Sequence, residues 1–278
     1  MMFSAAIEVN PSMTYCNPPT ISIVIPTMNN SNTICALFKS IEKQGLRDYE
    51  IIVVDAFSTD DTAEIALKNG AIIRQEMLRR SAARNLGARI ASSDVLLFLD
   101  SDMELTENVL SKCLAMIESN DALCIREKVV GVNYWARARA LERDGFFHSL
   151  YFEAARCFNR RIFLELGGYD TRLDGYEDLD IQGRLIESKL RIGWVDAVIL
   201  HHEGDIGFRE YLKKRRVYSR GLEIYKSKHP EISKILFSPF KRIECVMLEL
   251  KKNSTVKNIF LLPGLVTMRL IEYMFSSF

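Results

Sequence analysis

The run VLLFLDSD, residues 95–102, ends an apolar stretch on two aspartates, Asp100 and Asp102, one residue apart. In extended backbone, side chains at i and i+2 leave on the same side, so both carboxylates can face one pocket. Two like charges this close repel unless a cation, a hydrogen-bond network or solvent neutralises them. Mg2+ or Mn2+ suits such a pair, because hard cations take oxygen ligands and typically only one or two protein carboxylates, with phosphates and water completing the shell. The plainer alternative is a helix N-cap at Asp102 or Thr106. Asp55 closes a second apolar run, EIIVVDA, and His201 and His202 close a third, RIGWVDAVIL. A strand-end histidine is a candidate third metal ligand, with His201 preferred. In DGYEDLD, Asp174 and Glu177 match the D-x-x-E capping box, and acids in a first helical turn are favoured by the helix dipole alone.

The elements around these residues alternate. TISIVIPT, EIIVVDA, AIIRQE and VLLFLD read as strands, separated by the helical stretches SNTICALFKSIEKQ, STDDTAEIALKNG and SAARNLGARIA. Continuous apolar strands between helices predict an α/β fold, a mostly parallel sheet covered on both faces. In such a sheet ligands collect beyond the carboxyl ends of the strands, here Pro26-Thr27, Asp55-Ala56, Gln75-Glu76 and Asp100-Ser101-Asp102. The expected organisation is an N-terminal tail over 1–19, an α/β domain over 20–205 and a helical C-terminal extension over 206–278. Within the domain, a first half (about 20–103) precedes a second (about 104–205). Neither G-x-G-x-x-G nor G-x-x-x-x-G-K-[ST] occurs, so a bound diphosphate would have to be held by a metal and side chains.

Lys+Arg 37 against Asp+Glu 36 gives a net charge of +1 over 278 residues. No global field gathers nucleic acid, which is not an expected partner. The six cysteines form no C-x-x-C pair and suit a reducing compartment. The N-terminus lacks a basic and then apolar leader, so a cytoplasmic location is expected. Arg209, Lys213, Arg216 and Arg220 recur at the spacing of one helix face, beside an apolar stripe of Phe208, Tyr211, Tyr218, Leu222 and Tyr225. The tail from Ile259 to Phe278 is apolar apart from Arg269 and Glu272, with a charge-free run shorter than the roughly 18 residues of a spanning helix. Basic helix and apolar tail together read as a peripheral contact with an anionic membrane surface, on its cytoplasmic face. Docking on the core or on a second subunit competes with that reading.

Four segments in order, SIVIPTMNN, EIIVVDAFSTDDT, SAARNLGARIASSDVLLFLDSDM and LGGYDTRLDGYEDLDIQGRL, resemble the family 2 glycosyltransferases. These are inverting enzymes of the GT-A fold that use nucleotide-diphosphate sugars. The resemblance spans Thr20 to His202 and implies a catalytic domain whose nucleotide-sugar half is about 20–103 and whose acceptor half is about 104–205. It implies that Pro26, Thr27 and Asp55 line the nucleobase and ribose pocket and that Arg84 and Asn85 sit beside the nucleotide. It also implies that Asp100 contacts the nucleoside, that Asp102 holds the metal on the diphosphate, and that Asp178 is the catalytic base. Inversion needs such a base: a carboxylate within about 3 Å of the attacking hydroxyl can take its proton. For Glu177 the helix-capping reading is preferred. Two departures stand out, Ala56-Phe57 where the family often has D-G or G-G, and Met28 where an aromatic is usual. The implied reaction is sugar transfer to an acceptor hydroxyl or phosphate; the membrane reading of the C-terminal segment points to a lipid-linked one, such as a polyprenyl phosphate or its sugar-bearing form. A sugar-nucleotide-forming nucleotidyltransferase would want a glycine-rich basic loop in place of PTMNN. A degenerate nucleotide-sugar binder would have no reason to keep Asp55, Asp100, Asp102 and Asp178 together.

Overall fold

The computed structural model describes residues 7–8, 19–146, 149–173, 175–202, 213, 218, 221–252 and 259–276. Four strands, β2 (Ile21–Thr27), β3 (Tyr49–Asp55), β4 (Ile72–Gln75) and β5 (Val95–Phe98), run parallel in the spatial order β4-β3-β2-β5. They are joined by α1 (Ser31–Glu42), α2 (Thr62–Lys68) and α3 (Arg80–Ile90). A two-residue β1 (Ile7–Glu8) pairs antiparallel along β4.

The period of two sorts each strand between two cores. Ile21, Ile23 and Ile25 of β2, Ile51 and Val53 of β3, and Leu97 face one layer with α1 and with α4 (Val109–Ile117). Val24, Ile52, Val54, Leu96 and Phe98 face the other, with α3, α6 (Arg160–Glu165) and α7 (Glu177–Glu187). A strand buried on both faces has no polar alternation, which is why these segments read as unbroken apolar runs. Pro26 sits in β2 beyond the last residue paired with β5, so its missing N–H breaks no ladder bond on that side.

The second half of the sheet departs from the parallel expectation. β6 (Met103–Leu105), β7 (Ala122–Val129), β8 (Ala155–Asn159) and β9 (Ile192–His201) complete a nine-stranded order β1-β4-β3-β2-β5-β8-β7-β9-β6 among the described residues. β8 is antiparallel to both β5 and β7, β9 is parallel to β7, and β6 is antiparallel to β9. The helix expected directly after Asp102 is preceded by β6. Neither Asp102 nor Thr106 caps it: the cap position of α4 is Asn108, and the Thr106 hydroxyl donates to Val198 O.

Towards the C-terminus, residues 221–228 are helical, followed by α8 (Pro230–Leu236), α9 (Pro239–Lys252) and α10 (Leu262–Ser276). Both α9 and α10 pack on α5 (Tyr134–Gly145), where Ala138, Leu141, Val246, Leu261, Leu265 and Met268 form a third core. Arg269, read from sequence as a charge interrupting an apolar tail, pairs with Glu142 of α5. Of the expected basic face, Arg209, Arg216 and Arg220 lie outside the described residues, as do Phe208 and Tyr211; Lys213 is helical and exposed. Leu222 and Tyr225 are buried. No helix among the described residues is long and apolar enough to cross a membrane.

Candidate active site

The strand ends that the sequence marks lie side by side. Thr27 ends β2 and Asp55 ends β3, in register with one another. Asp55 is buried; its carboxylate accepts from the Ser58 N–H (3.0 Å), the Ser58 hydroxyl and the Gln75 amide (3.1 Å). Ser58 in turn accepts from the Asn29 N–H at 2.8 Å, and Asn29 Oδ1 accepts from the Thr59 N–H at 2.8 Å. The loops after β2 and β3 are thus stitched together. Both Asn29 and Phe57 hold positive φ, 54° and 56°, a conformation that costs non-glycine residues energy and concentrates at functional sites. Phe57 (46% exposed) and Met28 (52% exposed) remain open apolar groups there.

Behind Asp100, α3 lies unusually close to the sheet. A Cβ on Gly87 would stand 2.3 Å from Val24 Cγ1, so only glycine allows this approach. The closeness buries Arg84 completely. Its Nη2 lies 2.5 Å from Asp100 Oδ1 and its Nη1 2.8 Å from Asp178 Oδ1. One helical turn earlier, Arg80 donates to Glu177 Oε1 at 2.6 Å and 3.0 Å. From β8, Arg156 Nη2 approaches Asp100 Oδ2 at 3.6 Å. Burial alone would raise the Asp100 carboxyl, but Arg84, Arg156 and Arg80 override it and hold the group well below the usual carboxylate range.

The first turn of α7 carries three acids with three different fates. Glu177 is buried and is the first residue of the helix, with Tyr176 at the cap position. The expected capping box therefore does not form, since it needs Glu177 two positions further in; Asp174, its other half, lies outside the described residues. Glu177 is drawn instead to Arg80. Asp180 is fully buried among Arg184 (2.7 Å), Lys228 and the His229 ring (3.1 Å). Asp178 alone keeps a side chain 30% exposed. Its nearest charged partner is Arg84.

Asp102 and His201 meet through strand pairing. Met103 of β6 stands opposite His201 of β9, and the His202 N–H donates to Asp102 O at 2.8 Å. His201 Nε2 lies 3.4 Å from Asp102 Oδ1, and its Nδ1 lies 3.2 Å from Glu127 Oε2. Among the described residues, no group of three or more His, Cys, Asp or Glu side chains gathers as a metal cage. The D-x-D pair therefore divides: arginines neutralise Asp100, while Asp102 faces a histidine.

Asn85 directs both ends of its amide to Tyr169, donating to its carbonyl and accepting from its N–H, each at 2.8 Å. It holds the turn at Gly168, where a Cβ would lie 2.5 Å from Asn85 Oδ1. Sequence reasoning missed Arg80, Arg156 and Glu127. The spacing of Arg80 and Arg84, i and i+4 on a helix of small residues, was a usable signal. So were charged residues inside the apolar strands ARCFN and ALCIREKV, since a buried charge is rare unless paired.

A doubly covered sheet with carboxylates at its strand ends and a mixed second half has the architecture of GT-A enzymes. A mannosyltransferase from Pyrobaculum calidifontis, solved with GDP-Man and Mn2+, superposes with a TM-score of 0.58 over 99% of this chain and 87% of that one, at 18% identity. Staphylococcus aureus TarS 1–349, solved with UDP-GlcNAc, gives 0.55 over 90% and 79%, at 19% identity. The glycosyl transferase family 2 model matches residues 22–169, and the chain belongs to that family. A "PGL/p-HBAD biosynthesis glycosyltransferase" of Mycobacterium bovis is 31% identical over 221 residues, 73% of this chain and 86% of the relative.

Proposed function

We propose that this glycosyltransferase moves a sugar from a nucleotide-diphosphate sugar, with inversion and with help from a divalent cation, to a hydroxyl or phosphate of a lipid-linked acceptor. The carrying observation is the Arg84 bridge, which fixes Asp178 beside the strand end that bears Asp100. Donor and acceptor chemistry would then share one buried guanidinium. The solved neighbours that hold UDP-GlcNAc or GDP-Man with Mn2+ support the donor class.

Asp102 and His201 fit a hard divalent ion as two protein ligands, because the remaining positions of such an ion are commonly filled by phosphate oxygens and water. Bound there, the ion would offset the charge of the departing diphosphate. Asp55, Thr27 and the stitched loops around Ser58 would hold the nucleoside, with Met28 and Phe57 offering apolar contact. Asp178 would accept the acceptor proton, its exposed oxygen facing the incoming hydroxyl while Arg84 keeps the carboxylate in place. Glu177 Oε2 and Arg156 Nη1 are buried without a hydrogen-bond partner in the described structure, which suits a ligand rich in hydroxyls.

The lipid-linked acceptor is supported by the surface of the C-terminal layer. Phe240 (84% exposed), Ile243 and Met247 share one side of α9; Phe260 (71% exposed) just precedes α10, on which Val266 and Leu270 are exposed one turn apart. Peripheral seating on the cytoplasmic leaflet would use this apolar face. The test is a panel of UDP-, GDP- and dTDP-sugars with and without Mn2+, read by thermal shift and then by product NMR. Cation-dependent stabilisation by one donor, and a product of opposite anomeric configuration, are expected. Retained configuration would remove the role given to Asp178.

A further inference from the structure

We infer that Glu127 is a positioning residue for the cation site, orienting His201 toward Asp102 while holding Arg156 against Asp100. The inference rests on the metal reading above and extends it to a residue outside the D-x-D motif. Glu127 is fully enclosed on β7, next to the strand that ends in His201. One oxygen, Oε1, takes the Arg156 Nε–H. The other, Oε2, takes Arg143 Nη2 at 2.8 Å and faces His201 Nδ1 at 3.2 Å.

An ionised carboxylate can only accept, so the ring nitrogen facing it must carry the proton. That assignment leaves Nε2, the nitrogen 3.4 Å from Asp102 Oδ1, as the one able to ligate. A histidine that ligates a metal commonly donates its other N–H to a carboxylate, which fixes tautomer and ring orientation. The same Glu127 carboxylate reaches Asp100 through Arg156. Both aspartates of the motif are thus one side chain away from it, one through a histidine and one through an arginine. A purely structural anchor for Arg143 and Arg156 would account for two of the three partners and gives no reason for the third, His201.

The test uses the full chain. Mn2+ binding is measured by electron paramagnetic resonance in the presence of UDP and of GDP, for wild type and Glu127→Gln. Long-range 1H–15N spectra of the wild type loaded with Cd2+ then report the His201 tautomer; with four histidines in the chain, a His201→Gln spectrum assigns the signal. The expected result is a loss of roughly 10- to 100-fold in Mn2+ affinity for Glu127→Gln, with metal-free nucleotide binding within twofold of wild type. His201 should be protonated at Nδ1 in the loaded protein. A folded Glu127→Gln variant that binds Mn2+ as well as wild type overturns the role of Glu127 alone. Absence of Mn2+ binding by the wild type overturns the metal reading and this inference with it. If Glu127→Gln does not fold, the wild-type tautomer decides: a proton on Nε2 refutes the assignment.

Discussion

Arg84 Nη1 stands 2.8 Å from Asp178 Oδ1, although 94 positions separate the two residues in the chain. The contact ties α3, the helix packed on β2 and β3, to the first turn of α7, and the other arm of the same guanidinium holds Asp100. A lysine cannot reproduce this, because its single ammonium lacks the planar fork that serves two carboxylates at once.

Arg84→Ala is therefore expected to cost about 3–5 kcal/mol of stability, since it removes the nearest partner of the buried Asp100 carboxylate. Arg84→Lys should lose less stability yet still lower kcat. Urea denaturation alongside steady-state kinetics separates the two; an alanine variant as stable as wild type would show that the bridge is not structural.

Asp178→Asn should bind donor within twofold of wild type and lose about 100-fold or more in kcat, the scale of one general base. Its 30% exposed side chain makes a large folding defect unexpected. Near-normal turnover would move the base to another acid.

Asp102→Ala is expected to keep the fold, because its carboxylate is about one-third exposed and the strand pairing beside it uses backbone atoms. It should abolish Mn2+-dependent donor binding. Calorimetry with UDP, with and without Mn2+, checks this, and unchanged cation dependence would contradict the ligand role.

Glu153 is buried, and burial pushes its carboxyl up to about 7, with Glu127 also raising it against the opposing pull of Arg143 and Arg156. The folded protein then binds a proton that the unfolded chain releases near 4.5, so this contribution is whole below about pH 4.5 and is lost as pH rises through about 7. Glu153→Gln should remove that slope and stabilise the protein above pH 7 by an amount on the order of 1–3 kcal/mol. Denaturation midpoints at pH 5 and pH 8 test it; an equal difference at both values would rule the titration out.

Replacing Phe240, Ile243 and Met247 with serine should release the protein from anionic liposomes without unfolding it, since these side chains are exposed. Sedimentation at low salt reads the result. Wild type that stays in the supernatant would argue for a second subunit on this face.

The parallel half of the fold was legible because each strand is buried on both faces and each connection carries a helix, so periodicity alone marks the elements. The strand-end acids could be listed the same way. Their arginine partners could not. His201 was legible as a companion of Asp102, but the pairing that joins them was not, because β6 is only three residues long and so short a strand leaves no periodic trace. Arg156 reaches Asp100 only because β8 inserts antiparallel beside β5. The capping-box reading of Glu177 failed for a related reason: a local motif was outcompeted by an arginine from a distant helix.

Two consecutive residues of α5 look in different directions. Glu142 receives Arg242 and Arg269 from the C-terminal helices, while Arg143 reaches Glu127, the neighbour of His201. A mutational screen scored on activity alone would therefore misplace the catalytic machinery. Lesions at Arg269 or Arg242, which hold the C-terminal helices on α5, are expected to fall into the same phenotypic class as lesions in the D-x-D motif. Only a paired measurement of abundance would tell them apart.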